Sequence, residues 1–141
     1  VAKRDIELAV SPEAGFFILE KAREFDEKTP PINSPDGSNP SDDGGVEVLE
    51  AFRDDPAYVE LVAAIRGLDE DSQVDLVALM WLGRGDFTLD EWDDCRRLAR
   101  ERRSTPTAQY IAGTPLASDY LEEGLALLGY RMDESATGRR F

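Results

Sequence analysis

The sequence predicts an all-α domain, a compact bundle of about six or seven helices around a central helix hairpin, with a long loop after the first helix. Apolar residues recur at helical spacing in segment after segment. Ser, Thr or Asp ahead of proline or acids opens these segments, and glycine closes them. The one alternating stretch, "DIELAV" at 5–10, has no convincing second strand to pair with, so 1–10 is expected to be an extended arm. The 141 residues, 41% of them hydrophobic, suit a single domain with a real core, placed at 11–130.

The elements follow in order. In "SPEAGFFILEKAREFDEK" Ser11 is a good N-cap, Pro12 suits the first helical position, and Ile18, Ala22 and Phe25 share a face. The stretch 29–45, "TPPINSPDGSNPSDDGG", has almost no apolar content and reads as a flexible connector. Its acids miss the calcium-loop pattern, because Ser38 and Pro40 fall at ligand positions counted from Asp36. "VEVLEAFRDD" gives a short helix. Asp55 and Pro56 open the next, which Gly67 ends. Asp69 caps a helix over 69–82 that is apolar on every side from Leu76 onward, the signature of a central buried helix. Gly83 is expected to be its left-handed cap.

The sharpest local signal is "FTLDEWDDCRRLARERR". Thr88 and Glu91 form a capping box, while Phe87 and Trp92 are spaced for a hydrophobic staple. Acids at Asp90, Glu91, Asp93 and Asp94 crowd the start and arginines crowd the end, both favouring the helix dipole, and Asp93 can pair with Arg97. Thr105-Pro106 and Thr114-Pro115 each supply a cap and a first-turn proline. The two helices they open are closed by Gly113 and Gly129, the second with Leu121, Leu125 and Leu128 as its stripe. The tail, 131–141, is expected to fray.

Composition narrows function. A net charge of −14 and a pI near 4.3 repel nucleic acid and anionic lipid and permit basic proteins, cations or no specific partner. With no histidine, Ser-His-Asp and Cys-His catalysis and imidazole metal ligation are excluded. Cys95 is the only cysteine, so no intrachain disulfide forms, and a reducing cytoplasm suits it. Acids at Asp5 and Glu7 interrupt any signal-peptide core, and the apolar run Leu76 to Leu82 is too short to span a bilayer. A soluble cytoplasmic protein, away from membranes and DNA, is the expectation.

Four stretches together, "SPEAGFFILEKAREFD", "GSNPSDD", "DLVALMWLGRGDFTLDEW" and "YIAGTPLASDYLEEGLALLGY", resemble a family of small acidic bacterial proteins, typical of alphaproteobacteria, catalogued as domain of unknown function 3775. The likeness runs from about Ser11 to Tyr130. It implies a bacterial cytoplasmic protein and brings no catalytic residue with it.

The candidate sites each have a plain structural alternative. Arg84 and Asp86, in the Gly83-Arg84-Gly85-Asp86 corner, have no evident structural task and form a candidate corner site. As an adhesion tripeptide they would need an extracellular setting. As a helix-turn-helix corner they would place Asp90, Glu91, Asp93 and Asp94 near phosphates, the wrong charge. Arg96, Arg97, Arg100, Arg102 and Arg103 are expected to pair with carboxylates of the same chain. Glu91 with Asp94, and Asp119 with Glu122, each share a helix face, and two such faces can hold magnesium, as in all-α nucleotide pyrophosphohydrolases. Trp81, Trp92, Tyr110, Tyr120 and Tyr130 read as core and rim, and Cys95 as a small buried hydrophobe. No catalytic constellation is complete. The favoured function is a non-catalytic protein-interaction module whose acidic surface meets a basic protein. The alternative is a magnesium-dependent hydrolase of phosphorylated small molecules. Homo-oligomerisation through an apolar helix face is compatible with either.

Overall fold

The computed structural model describes residues 7–28, 53–103 and 106–130. Among them are six α-helices and no strand. They are α1 (Pro12–Lys28), α2 (Pro56–Arg66), α3 (Glu70–Arg84), α4 (Trp92–Glu101), α5 (Thr107–Ala112) and α6 (Ala117–Leu127), with a 3-10 turn at Leu89–Glu91. The 29–45 loop, most of the short helix expected after it and the 131–141 tail lie outside the described residues. So do the first six residues of the arm, whose residues 7–10 form no strand.

The expected caps open the first helices. The Ser11 hydroxyl accepts the Ala14 N–H at 3.1 Å, Asp55 that of Ala57 at 2.8 Å, and Asp69 that of Ser72 at 2.9 Å. Each satisfies a backbone donor that a helix start leaves unpaired.

The central helix is α3, buried from Val74 to Leu82 and packed against α4, α5 and α6. Cross-links give the directions. Arg100 on Asp71, Arg96 on Asp75 and Cys95 on the Ala78 carbonyl make α3 and α4 antiparallel. Phe25 against Tyr58 with Lys21 on Glu60 does the same for α1 and α2. Ser118 on Asp26 with Arg23 on Glu122 does so for α1 and α6.

The crossing of α3 with α6 depends on two glycines. A Cβ on Gly83 would stand 1.8 Å from the Tyr120 carbonyl oxygen, and one on Gly124 would stand 2.3 Å from that of Leu79. Backbone meets backbone there, and no other residue fits.

Two expected helix ends move. Gly83 is not the left-handed cap of α3; the helix runs on to Arg84, and Gly85 takes the left-handed conformation at φ 96°. The reason is the crossing just described, which holds Gly83 in helical geometry against α6. Thr114-Pro115 does not open α6, which begins at Ala117 after Leu116 in the left-handed region at φ 64°. The Thr114 hydroxyl instead donates to the Tyr110 carbonyl at 2.7 Å and closes α5. The cap of α6 comes from another helix: Asp26 of α1 accepts the Ser118 N–H at 3.1 Å and its hydroxyl at 2.7 Å.

Candidate functional site: the corner between α3 and α4

At the end of α3 the Gly85 N–H donates to the Leu82 carbonyl and the Asp86 N–H to the Trp81 carbonyl, both at 3.1 Å. This paired closure is the Schellman arrangement, which needs the left-handed residue that glycine supplies at Gly85. The turn throws Phe87 back onto Trp81, their rings stacked with centroids 6.1 Å apart. The Trp81 indole N–H donates to the Tyr110 hydroxyl at 2.9 Å, which ties the corner to α5. Three residues later the Glu91 carboxylate accepts the Thr88 N–H at 2.9 Å, so the capping box forms.

Arg84 and Asp86 come together with each other. Nε and Nη2 of Arg84 donate to the same Asp86 oxygen at 2.9 and 2.6 Å. The four candidate metal carboxylates do not meet as a set. Glu91 is committed to the cap, Asp94 accepts from Arg97 at 2.9 Å, and Asp119 and Glu122 both hold Arg23, at 3.4 and 2.7 Å. Among the described residues no group of three or more His, Cys, Asp or Glu is placed to hold a metal ion.

Arg96 and Arg100 of α4, and Arg103 just past its end, face acids on α3, while the expected pairing of Arg102 does not form: it is exposed with no ion-pair partner among the described residues. Arg96 reaches Asp75 at 2.7 Å, Arg100 reaches Asp71 at 2.6 Å, and Arg103 reaches Glu70 at 3.2 Å. The anticipated partner of Arg97, Asp93, is replaced by Asp94 one residue further on, at the i,i+3 spacing that also stacks side chains on a helix. Asp75 is fully buried and divides its carboxylate between Arg96 and the backbone N–H of Ala9, 2.6 Å away. Burial raises its pKa above the ordinary carboxylate value, outweighing both donors. Burial also pushes the Cys95 thiol up to about 12, helped by the charges of Asp86 and Glu91. The thiol is therefore protonated at neutral pH and no nucleophile. The Trp92 indole N–H is buried with no hydrogen-bond partner among the described residues.

Beside the corner lies an open groove of about 560 Å³, lined by Leu82, Phe87, Leu89 and Leu127 with Asp90 and Glu123. Thr88, Gly83 and Gly85 complete the lining, the glycines adding no side chains. Sequence reasoning did not assemble this groove. One signal was present: Leu127 falls off the Leu121, Leu125 and Leu128 stripe of the last helix, and its apolar side chain is only partly buried against the core.

A family model described as "Protein of unknown function (DUF3775)" matches residues 58–130, just over half of the chain and all of the groove. No curated protein and no solved structure matches the chain.

Proposed function

Since the chain belongs to this family of proteins of unknown function, DUF3775, we propose that it is a non-catalytic interaction module that presents an acidic surface to a basic protein. The observation that carries the reading is how the cations are used. Lys21, Arg23, Arg84, Arg96, Arg97, Arg100 and Arg103 lie within ion-pair distance of carboxylates of the same chain, while the exposed Arg53, Arg66 and Arg102 have no ion-pair partner among the described residues. The exposed Glu13, Glu20, Asp90, Asp93, Glu101 and Glu123 have no ion-pair partner among the described residues. Unpaired carboxylates thus outnumber unpaired cations on the described surface of a chain of net charge −14, and such a surface attracts cationic ones and speeds their encounter.

The same field disfavours DNA, whose phosphates require cations. No helix among the described residues is long and apolar enough to cross a membrane. The single buried thiol, Cys95, suits a reducing compartment, and the reading includes a bacterial cytoplasmic setting.

The test is capture from a low-salt bacterial lysate on the immobilised protein, beside an unrelated bait of equal negative charge. The expected result is a basic protein retained by this chain alone and released as salt shortens the screening length. Recovery of the same proteins on both baits, or of none, would overturn the reading.

A further inference from the structure

We propose that the groove beside the corner is the docking surface for a partner segment carrying a leucine-sized apolar side chain flanked by arginines or lysines. This rests on the acidic-module reading and names where the contact is made and what it recognises. Apolar and charged groups are arranged there for two different tasks. Phe87, Leu89 and Leu127 offer hydrocarbon around the largely buried Leu82, and Gly85, where an added Cβ would have nothing within 4 Å, leaves space open. Asp90 comes from the 3-10 turn and Glu123 from α6, so the carboxylates enter the groove from separate elements. Neither has an ion-pair partner among the described residues, and the cations six residues before and after Asp90, Arg84 and Arg96, are already held by Asp86 and Asp75. An apolar side chain is therefore recognised by the walls and a cation on either side of it by the rim.

The walls are also fixed before any partner arrives. Phe87 is stacked on Trp81, Thr88 is held by Glu91, and the α3–α6 crossing through Gly83 and Gly124 sets where Glu123 and Leu127 stand. A preformed surface loses little freedom on binding, which favours a short segment as ligand. A second copy of this chain is a poor occupant, because two bodies of charge −14 repel.

The experiment measures binding of labelled synthetic peptides to the full chain at low salt, by fluorescence anisotropy. One peptide carries Arg-Leu-Leu-Arg between Gly/Ser flanks, one keeps only the arginines, and one only the leucines. The first is expected to bind about tenfold more tightly than either other. Asp90→Lys with Glu123→Lys should remove about tenfold of that affinity, whereas Glu20→Lys with Glu101→Lys, an equal charge change outside the groove, should cost less than about threefold. Both groove positions carry charged side chains facing solvent or the open groove; if the reversal fails to fold, Asp90→Asn with Glu123→Gln replaces it. Equal losses in the two reversals would overturn the groove and leave the acidic-surface reading standing. No binding of either arginine peptide, to the unmodified chain or to Arg139→Glu with Arg140→Glu, would overturn that reading itself. The chain's own Arg139, Arg140 and Phe141 offer similar chemistry. If the peptide binds only after Arg139→Glu with Arg140→Glu, the occupant is the chain's own segment and the partner proposal fails.

Discussion

Ion pairs of similar length do different work in this molecule, and burial decides which. Asp75 has none of its surface exposed and holds both Arg96, at 2.7 Å, and the Ala9 N–H, at 2.6 Å. Asp75→Ala would leave a guanidinium and a backbone donor without their acceptor. Losing one partner of a fully buried pair costs about 3–5 kcal/mol. The Arg96 side chain is 32% exposed and regains some water, so about 2–3 kcal/mol is expected here. Arg84 and Asp86 are also 2.6 Å apart, but their side chains are 36% and 42% exposed. Arg84→Ala should therefore cost under about 1 kcal/mol. Urea unfolding of the two variants measures both, and a larger loss for Arg84→Ala would contradict the account. Sequence alone did not reveal this contrast. Arg84 and Asp86 stood out because no helix rule used them, and their answer is each other. Asp75 drew no notice, because a single acid just before an apolar run looks like an ordinary polar face. Only the docking of the arm and of α4 makes it buried.

At the scale of helices, what was legible follows from how far along the chain the cause lies. The starts of α1, α2 and α3 and the capping box at Thr88 rest on residues within one turn, so local rules found them. The end of α3 and the start of α6 depend on partners far away in sequence. Gly83 is spent on α6, and Asp26, 92 residues upstream, caps Ser118. No local window contains either partner. The groove was missed for the same reason, since its walls come from α3, the turn after it and the far end of α6. The glycines allow opposite predictions for one chemical change. At Gly83 a methyl group would meet the Tyr120 carbonyl at 1.8 Å, and neither backbone can yield without separating α3 from α6. Gly83→Ala is expected to cost about 3 kcal/mol or more. Inside α1, a methyl on Gly15 would lie 3.7 Å from Leu125, ordinary contact, in a helix that favours alanine. Gly15→Ala should stabilise by about 0.5–1 kcal/mol. Thermal unfolding of the pair separates close backbone approach from generic helix propensity; a destabilised Gly15→Ala protein would show that α1 and α6 are packed more tightly than these distances imply.

For the whole molecule, charge sets the response to pH and salt. Folding gathers a net charge of −14 into one small body, and the resulting repulsion opposes compactness. Two carboxylates act in the same direction. Burial raises the pKa of Asp26, despite the hydrogen bonds from Ser118, and burial raises that of Asp75. A carboxylate that holds its proton more tightly in the folded chain than in the unfolded one stabilises the fold at low pH. That contribution is lost as pH climbs from the ordinary aspartate value through the raised folded value. Asp69 works the other way: hydrogen bonds from Ser72 lower its pKa, so its contribution is present above the ordinary aspartate value and lost only as pH falls below it. With no histidine in the chain, no imidazole titrates between about pH 5 and 7 to mask these effects. The melting temperature is therefore expected to rise as pH is lowered from about 7 towards 5, against the common trend of acid destabilisation. Added salt at pH 7 should raise it too, by screening the repulsion. The two causes separate in Asp26→Asn with Asp75→Asn, which should flatten the pH slope and leave the salt effect in place. A melting temperature that falls between pH 7 and 5 in the unmodified chain would mean that the paired carboxylates outweigh both the repulsion and the buried acids.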